Sequence, residues 1–388
     1  MKTRLGYASV RFPQAYGLFC LLAMAGAGTG AGGRAEGAPP SQSVRRKPPG
    51  EVGRSAAPRA NPSGCLEQNG PAVNPKATAD TRSVLAYFRG LPEQSGRRVV
   101  SGQFIGSGNY ATTKEIDSIR QQTGKMVAMM GIDYALMHGT DTTANSYAIR
   151  HWNAGGLVTV SFHALNPQTR GFGSVKNRKI NFQDLFQEGS KAHQNWIADL
   201  DKAAAGLAEL QAHNVVVLWR PFHEMNKDYF WWGNRDTGEF VRLWRQTFDY
   251  LTKTKGLNNL LWVYSPYQAA DTMKYFPGDA YVDIVSMDAY ETNPEKIQGY
   301  EALAALDKPF GFAEYGPSGN LLVFIPLIEK NVDYYGIFNT ILRKFPKTSF
   351  LHAWNGGWGF QSHRNISQLM NDPRLITQSD VNWRSACK

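Results

Sequence analysis

In the segment WIADLDKAAAGLAELQAHNVVVLWRPF (196–222), Trp196, Leu200, Ala203, Leu207 and Leu210 recur every three to four residues, while Asp199, Asp201, Lys202 and Glu209 face elsewhere. That spacing gathers the apolar groups on one stripe of a helix. The short apolar run that follows, VVVLWRPF (215–222), reads as a strand. The same unit repeats in both directions along the chain. The other strand-like runs are VVSGQF (99–104), MVAMMGI (126–132), LVTVSFH (157–163), LLWVYSP (260–266), VDIVSMDAY (282–290), PFGFAEYG (309–316) and SFLHAW (349–354). Each gives way to a polar or glycine-bearing turn and an amphipathic stretch, the pattern of a parallel sheet with helices packed outside it. Eight such units fit one α/β domain, a (β/α)₈ TIM barrel over residues 64–388. A doubly wound open sheet is the structural alternative. It ordinarily carries a glycine-rich phosphate loop after its first strand, and Gly102 with Gly106-Ser107-Gly108 lacks both the spacing and the downstream acid. No Walker loop, paired Cys-x-x-Cys or His-Glu-x-x-His pattern occurs, so neither a nucleotide site nor a zinc site has support.

Composition sharpens this picture. The 388 residues carry 42 Lys+Arg against 32 Asp+Glu, a formal net charge of +10, which raises nucleic acid or an anionic membrane as partners. Residues 1–60 hold nine of those bases and two of the acids, so the remainder is nearly neutral. Lys2, Arg4 and Arg11 precede the apolar stretch AYGLFCLLAMA (15–25), the order of a secretory signal over residues 1–27 and too short to span a bilayer. Residues 28–63 are rich in Gly, Pro, Ala and Arg with almost no large apolar side chain, and read as a flexible linker. The Arg45-Arg46-Lys47 run has no interleaved aromatics and is read as a solvated charge run or a protease target, not a nucleic-acid site. An exported protein with no membrane association after signal removal is the expectation, as is a monomer. Once Cys20 leaves with the signal, Cys65 and Cys387 remain at opposite ends of the folded part. In an oxidising compartment they either form a disulfide joining those ends or stay as two free thiols. Asn365-Ile366-Ser367 is a glycosylation acceptor if the host secretes through a glycosylating pathway.

In a barrel the active site lies where the strands end. The fourth strand runs into WRPFHEMN (219–226) and the seventh ends in FAEYG (312–316), so Glu224 and Glu314 arrive at the same rim. A lone glutamate there reads as a surface residue or half of an ion pair. Two, both set among aromatics, are what glycosidic cleavage needs: an acid to protonate the leaving oxygen and an ionised group facing the anomeric carbon. Trp152, Tyr229, Phe230, Trp231, Trp232, Trp262, Tyr264, Tyr267, Tyr290, Trp354 and Trp358 also fall at or beyond strand ends. Sugar rings stack on such faces, and about half of these aromatics are expected to be core.

At these positions the chain resembles the retaining glycoside hydrolases of family 26, most of whose members are endo-β-1,4-mannanases. The likeness rests on SFHALNP (161–167), WRPFHEMNKDYFWWG (219–233), SMDAY (286–290), FAEYG (312–316) and HAWNGGWG (352–359), in order and spread over most of the barrel. The resemblance implies Glu224 as acid/base and Glu314 as nucleophile, with Tyr290 hydrogen-bonded to the nucleophile. It implies His163, His223, Tyr229 and Trp232 as substrate contacts, Trp354 as the apolar floor under the sugar, and Arg220 and Asp288 in support. His163 is also compatible with a core histidine, Arg220 with pairing an internal acid, Asp288 with structuring the rim, and Asn166 with starting a turn before Pro167. No metal or organic cofactor is implied, because side chains fill both catalytic roles. The implied partner is a β-mannan polysaccharide. Lys227-Asp228-Tyr229 departs from the family's Gly-x-Trp, which leaves β-1,3-xylan and mixed-linkage β-glucan as competing substrates. A non-catalytic carbohydrate-binding barrel is the alternative of another class, and the presence of both glutamates argues against it.

Overall fold

The computed structural model describes residues 71–385 except 95, 97, 136 and 319–330. The expected signal peptide 1–27, the linker 28–63, Cys65 and Cys387 lie outside the described residues. Strands β1 (Val99–Ser107), β2 (Met129–Asp133), β3 (Leu157–Phe162), β4 (Val217–Pro221), β5 (Leu260–Tyr264), β6 (Ile284–Tyr290), β7 (Phe310–Gly316) and β8 (Thr348–Ala353) match the eight runs read from the sequence, and a short β9 (Leu375–Ile376) follows. The helices among the described residues are α1 (Ala79–Gly90), α2 (Lys114–Thr123), α3 (Asn145–Asn153), α4 (Phe182–Phe186), α5 (Lys191–Ala212), α6 (Thr237–Asp249), α7 (Tyr300–Ala304), α8 (Tyr334–Lys344) and α9 (Ile366–Met370). Each of β1 to β8 pairs in parallel with the next, and β8 returns to β1 with Gly102 opposite His352, closing the expected (β/α)₈ barrel. The start of β1 also pairs with β9. No described helix is long and apolar enough to cross a membrane.

The helix read ahead of the fourth strand is α5. Its N-terminus is capped by Ser190, whose hydroxyl accepts the His193 N–H at 3.0 Å. Trp196, Leu200, Ala203, Leu207 and Leu210 are all buried, as the spacing requires. Asp199 departs from the expectation that it faces elsewhere. It is buried and takes both guanidinium nitrogens of Arg170, which reaches over from the loop after β3. Pairing of this kind lets a carboxylate occupy an apolar face.

Inside the barrel, alternate residues of β8 form successive layers. Phe350 packs edge-on against Phe88 of α1, a helix that crosses the N-terminal end of the strands. His352 fills the middle layer, where a Cβ on Gly131 would lie 2.3 Å from its Nε2. Only glycine leaves room for that ring. Trp354 then stands at the mouth. Strand residues of the other parity face the helices, and some of the aromatics at the strand ends are core, as expected. Trp262 packs on Trp244 and Phe248 of α6, Tyr264 on Trp244 and Phe276, and Trp152 on Trp383, so these three belong to the core and not the rim.

Candidate active site

The end of β4 turns sharply. Phe222 and Glu224 have φ of 51° and 54°, the left-handed region that L side chains avoid. Such residues cost about 1–3 kcal/mol each and persist only when the surroundings over-determine them. Here the Phe222 ring is held among Trp196, Trp231, Trp232, Phe240 and Trp244. The Glu224 N–H donates to the Ser265 carbonyl at 2.8 Å, and Trp232 Nε1–H donates to the carbonyl of His223 at 2.8 Å. The turn is thereby fixed with the Glu224 carboxyl at the barrel mouth.

Glu314 reaches the same mouth by a different device. Phe310, Phe312 and Tyr315 pack outward on Tyr300, Phe345 and Tyr334, a step of two residues followed by a step of three. The register slips at the same place, where Met287 pairs with Phe312 but Asp288 pairs with Glu314. This bulge adds one residue to β7 and swings Glu314 inward, where strict alternation would have pointed it at the helices.

Arg220, buried in β4, joins the two neighbouring acids. Its Nη1–H donates to Asp288 at 2.8 Å and its Nη2–H to Glu314 Oε1 at 2.5 Å. The Tyr290 hydroxyl donates to the other Glu314 oxygen at 2.7 Å. Asp288 is anchored in turn by the Ser265 hydroxyl at 2.6 Å. Among the described residues, no side chain donates to Glu224. Burial, with the charges of Glu314 and Asp288 behind it, pushes the Glu224 pKa well above the usual carboxylate range. His223, Asp288 and Glu314 are the one group of three metal-ligand types that converge among the described residues. The Arg220 guanidinium already sits on both of its carboxylates.

A chain of imidazoles lines the wall. Asp133 is buried at the end of β2 and accepts from Ser161 Oγ at 2.6 Å and from His163 Nδ1 at 2.7 Å. His163 Nε2 lies 2.9 Å from His223 Nε2, which is 3.8 Å from Glu314. Burial, then His163 and Arg220, hold the His223 pKa well below its ordinary value, so its imidazole is neutral. The two Nε2 atoms share one hydrogen bond, whose donor is set by the tautomers of the two rings.

Trp354 lies flat on Phe104, with ring centroids 4.0 Å apart and planes 6° apart, and Trp358 meets Tyr290 edge-on at 5.6 Å. The loop bearing both tryptophans is fastened to the first β/α unit. Gln103 Nε2 donates to the Trp354 carbonyl at 2.9 Å, its Oε1 accepts from the Phe360 N–H at 3.2 Å, and Glu115 accepts from the Gly356 N–H at 2.6 Å. Tyr229 stands edge-on to Tyr267 and Phe230. Trp232 is fully buried behind Phe230, stacked on it at 4.7 Å. Asn166 fastens its own loop, accepting from the N–H groups of Gln168 and Thr169 and donating to the carbonyls of Asn177 and Lys179.

The model of glycosyl hydrolase family 26 matches residues 73–380. This chain belongs to that family. The similar proteins include the mannan endo-1,4-β-mannosidase of Bacillus subtilis, 36% identical over 330 residues that cover 80% of this chain and 89% of the relative. Mannan endo-1,4-β-mannosidase A and B of Caldalkalibacillus mannanilyticus is 36% identical over 340 residues, 82% of this chain but 64% of that longer relative. The solved structure of Bacillus subtilis mannanase BCman superposes with a TM-score of 0.74 at 33% identity, covering 80% of this chain and 95% of that one. The enzyme class expected from the paired glutamates, a glycoside hydrolase, is that of the family. Sequence reasoning passed over Asp133, Ser265, Gln103 and Glu115. The first two carried a weak signal, as polar residues closing apolar strands in MMGID and LLWVYS. The last two carried none, since their partners are 241 to 257 residues away.

Proposed function

We propose that this chain is a secreted endo-β-1,4-mannanase that cleaves internal bonds of mannan, galactomannan or glucomannan by double displacement. Glu314 is the nucleophile and Glu224 the acid/base. The reading is carried by the opposite surroundings of two buried glutamates at one barrel mouth. Glu314 accepts hydrogen bonds on both oxygens, which holds an ionised carboxylate still and aimed. Glu224 has burial and like charge around it, which keep its proton in place. In the first step Glu314 attacks the anomeric carbon as Glu224 delivers that proton to the departing oxygen, leaving a glycosyl-enzyme ester. In the second, Glu224 takes a proton from water, which attacks the same carbon and releases Glu314 with the original configuration restored. Trp354 is the floor under the reacting sugar, with Tyr290, His163 and His223 around it and Tyr229 at the edge. Arg220 balances the Glu314 and Asp288 charges. Trp232 supports this set through His223.

The test is product analysis on mannan, galactomannan, glucomannan, β-1,3-xylan and mixed-linkage β-glucan, with configuration at the new reducing end followed by NMR. Internal cleavage of the mannans with retention is expected. Selective cleavage of the xylan or the β-glucan would favour the second reading that Tyr229 keeps open. The same proposal includes removal of residues 1–27 on export, a linker over 28–63, a monomeric barrel and a Cys65–Cys387 bridge. Peptide mapping without reductant should recover the cross-linked pair, and recovery of two free thiols would exclude it.

A further inference from the structure

Among the described residues, Tyr110 and Phe172 are the large apolar side chains left mostly in solvent, 58% and 62% exposed. They are not scattered. His138 lies between them, stacked on Tyr110 at 4.5 Å and 21° and tilted against Phe172 at 5.0 Å, so three rings form one surface stack. The rings come from the loops after β1, β2 and β3, on the same rim as the catalytic glutamates. These loops are tied to one another: the Asn109 N–H donates to Asp141 at 3.1 Å and the Gly173 N–H to the Met137 carbonyl at 2.9 Å. The strands beneath contribute Phe104, Asp133 and His163 to the site wall, so the stack continues that wall outward.

We propose that Tyr110, His138 and Phe172 form a distal subsite that stacks pyranose units of the polysaccharide remote from the scissile bond. The chemistry around the rings matches a neutral sugar chain. Besides His138, segments 108–113, 135–145 and 164–175 contain two charged side chains, Asp141 and Arg170; the basic residues Lys176, Arg178 and Lys179 follow in the same loop, with Arg178 paired to Asp228. The first two are engaged within the protein, Asp141 by the backbone of Asn109 and Thr143 and Arg170 by buried Asp199. What the three ring-bearing segments offer outward is aromatic faces with threonine and amide groups between them. Rings already held in place lose little freedom when a sugar settles on them.

The inference rests on the mannan reading, and one experiment separates the two. Tyr110→Ala, Phe172→Ala and the double variant are assayed on mannan polymer and on an aryl β-mannobioside too short to reach the stack. Each single variant should raise KM for the polymer roughly three- to tenfold, the double variant more, with the mannobioside constants and the melting temperature unchanged. Tyr110→Phe and Phe172→Tyr should restore the polymer KM. Equal losses on both substrates, or no loss on either, would overturn the subsite. So would a wild-type dimer that the double variant dissociates, which would make the stack a self-association face. A wild-type enzyme inactive on mannan but active on another polysaccharide of the panel defeats the substrate reading alone, and the length comparison is then made on that polymer.

Discussion

The ends of β4 and β7 each deliver one glutamate to the barrel mouth, and they differ in both backbone device and surroundings. At β4 the chain enters the left-handed region twice and is clamped by a cluster of aromatic rings, and the Glu224 carboxyl receives no side-chain donor among the described residues. At β7 a bulge turns Glu314 inward onto Arg220 and Tyr290. The same residue type is thereby given two surroundings by its neighbours, one in which burial and like charge raise the carboxyl pKa and one in which two donors pin the carboxylate in place. Strain held by packing and aim held by hydrogen bonds should fail differently when disturbed.

The largest effect comes from removing either carboxyl. Glu224→Ala and Glu314→Ala should each lower turnover of mannan ~10³-fold or more. The asymmetry shows on an aryl glycoside whose leaving group needs no proton: the Glu224 variant should form the glycosyl-enzyme readily while the Glu314 variant stays inactive. Azide should then give a retained glycosyl azide from the first and an inverted one from the second. The same product from both would break the comparison. Phe222→Ala attacks the packing side and should destabilise the fold by about 3–5 kcal/mol in denaturant titration; a loss under 1 kcal/mol would mean that the rings do not hold the turn. Tyr290→Phe attacks the hydrogen-bonding side. It should lower kcat roughly ten- to a hundredfold with an unchanged melting temperature, and an intact kcat would remove Tyr290 from the aiming of Glu314.

The smallest effect concerns Glu115. Burial pushes its pKa up to about 7, from an ordinary value of 4.5. The folded protein therefore binds that proton more tightly than the unfolded chain, and this carboxyl lowers stability progressively as pH rises from 4.5 to 7. Glu115→Gln should melt close to wild type at pH 4.5 and above it at pH 8. A melting difference that does not change with pH would show that the carboxyl stays protonated or is solvated.

The contrast between the two strands also explains what was legible in the chain. The eight strands could be read because a strand covered on both faces must be apolar, as in VVVLWRP and LLWVY. The glutamates stood out as the polar ends of such runs. The left-handed turn at Phe222 and Glu224 carries neither glycine nor asparagine, the usual signs of positive φ, because packing and not local preference imposes it. The bulge in PFGFAEYG is equally silent, since one added residue leaves composition unchanged. Asp199 misled for the same reason: its partner Arg170 is 29 residues earlier in the sequence and outside any helical period.

The fastening of the Trp354 loop has one more consequence. Gln103 and the Trp354 carbonyl it holds are 251 residues apart, so the floor proposed for the sugar is also the seam where the first and eighth strands meet. A contact of that span is among the last that a growing chain can make. Until the eighth strand has been synthesised and docked against the first, the tryptophan has nothing to lie on. On the proposed role of Trp354, sugar binding becomes available only to a molecule whose barrel has closed, and incomplete chains carry both glutamates without that surface.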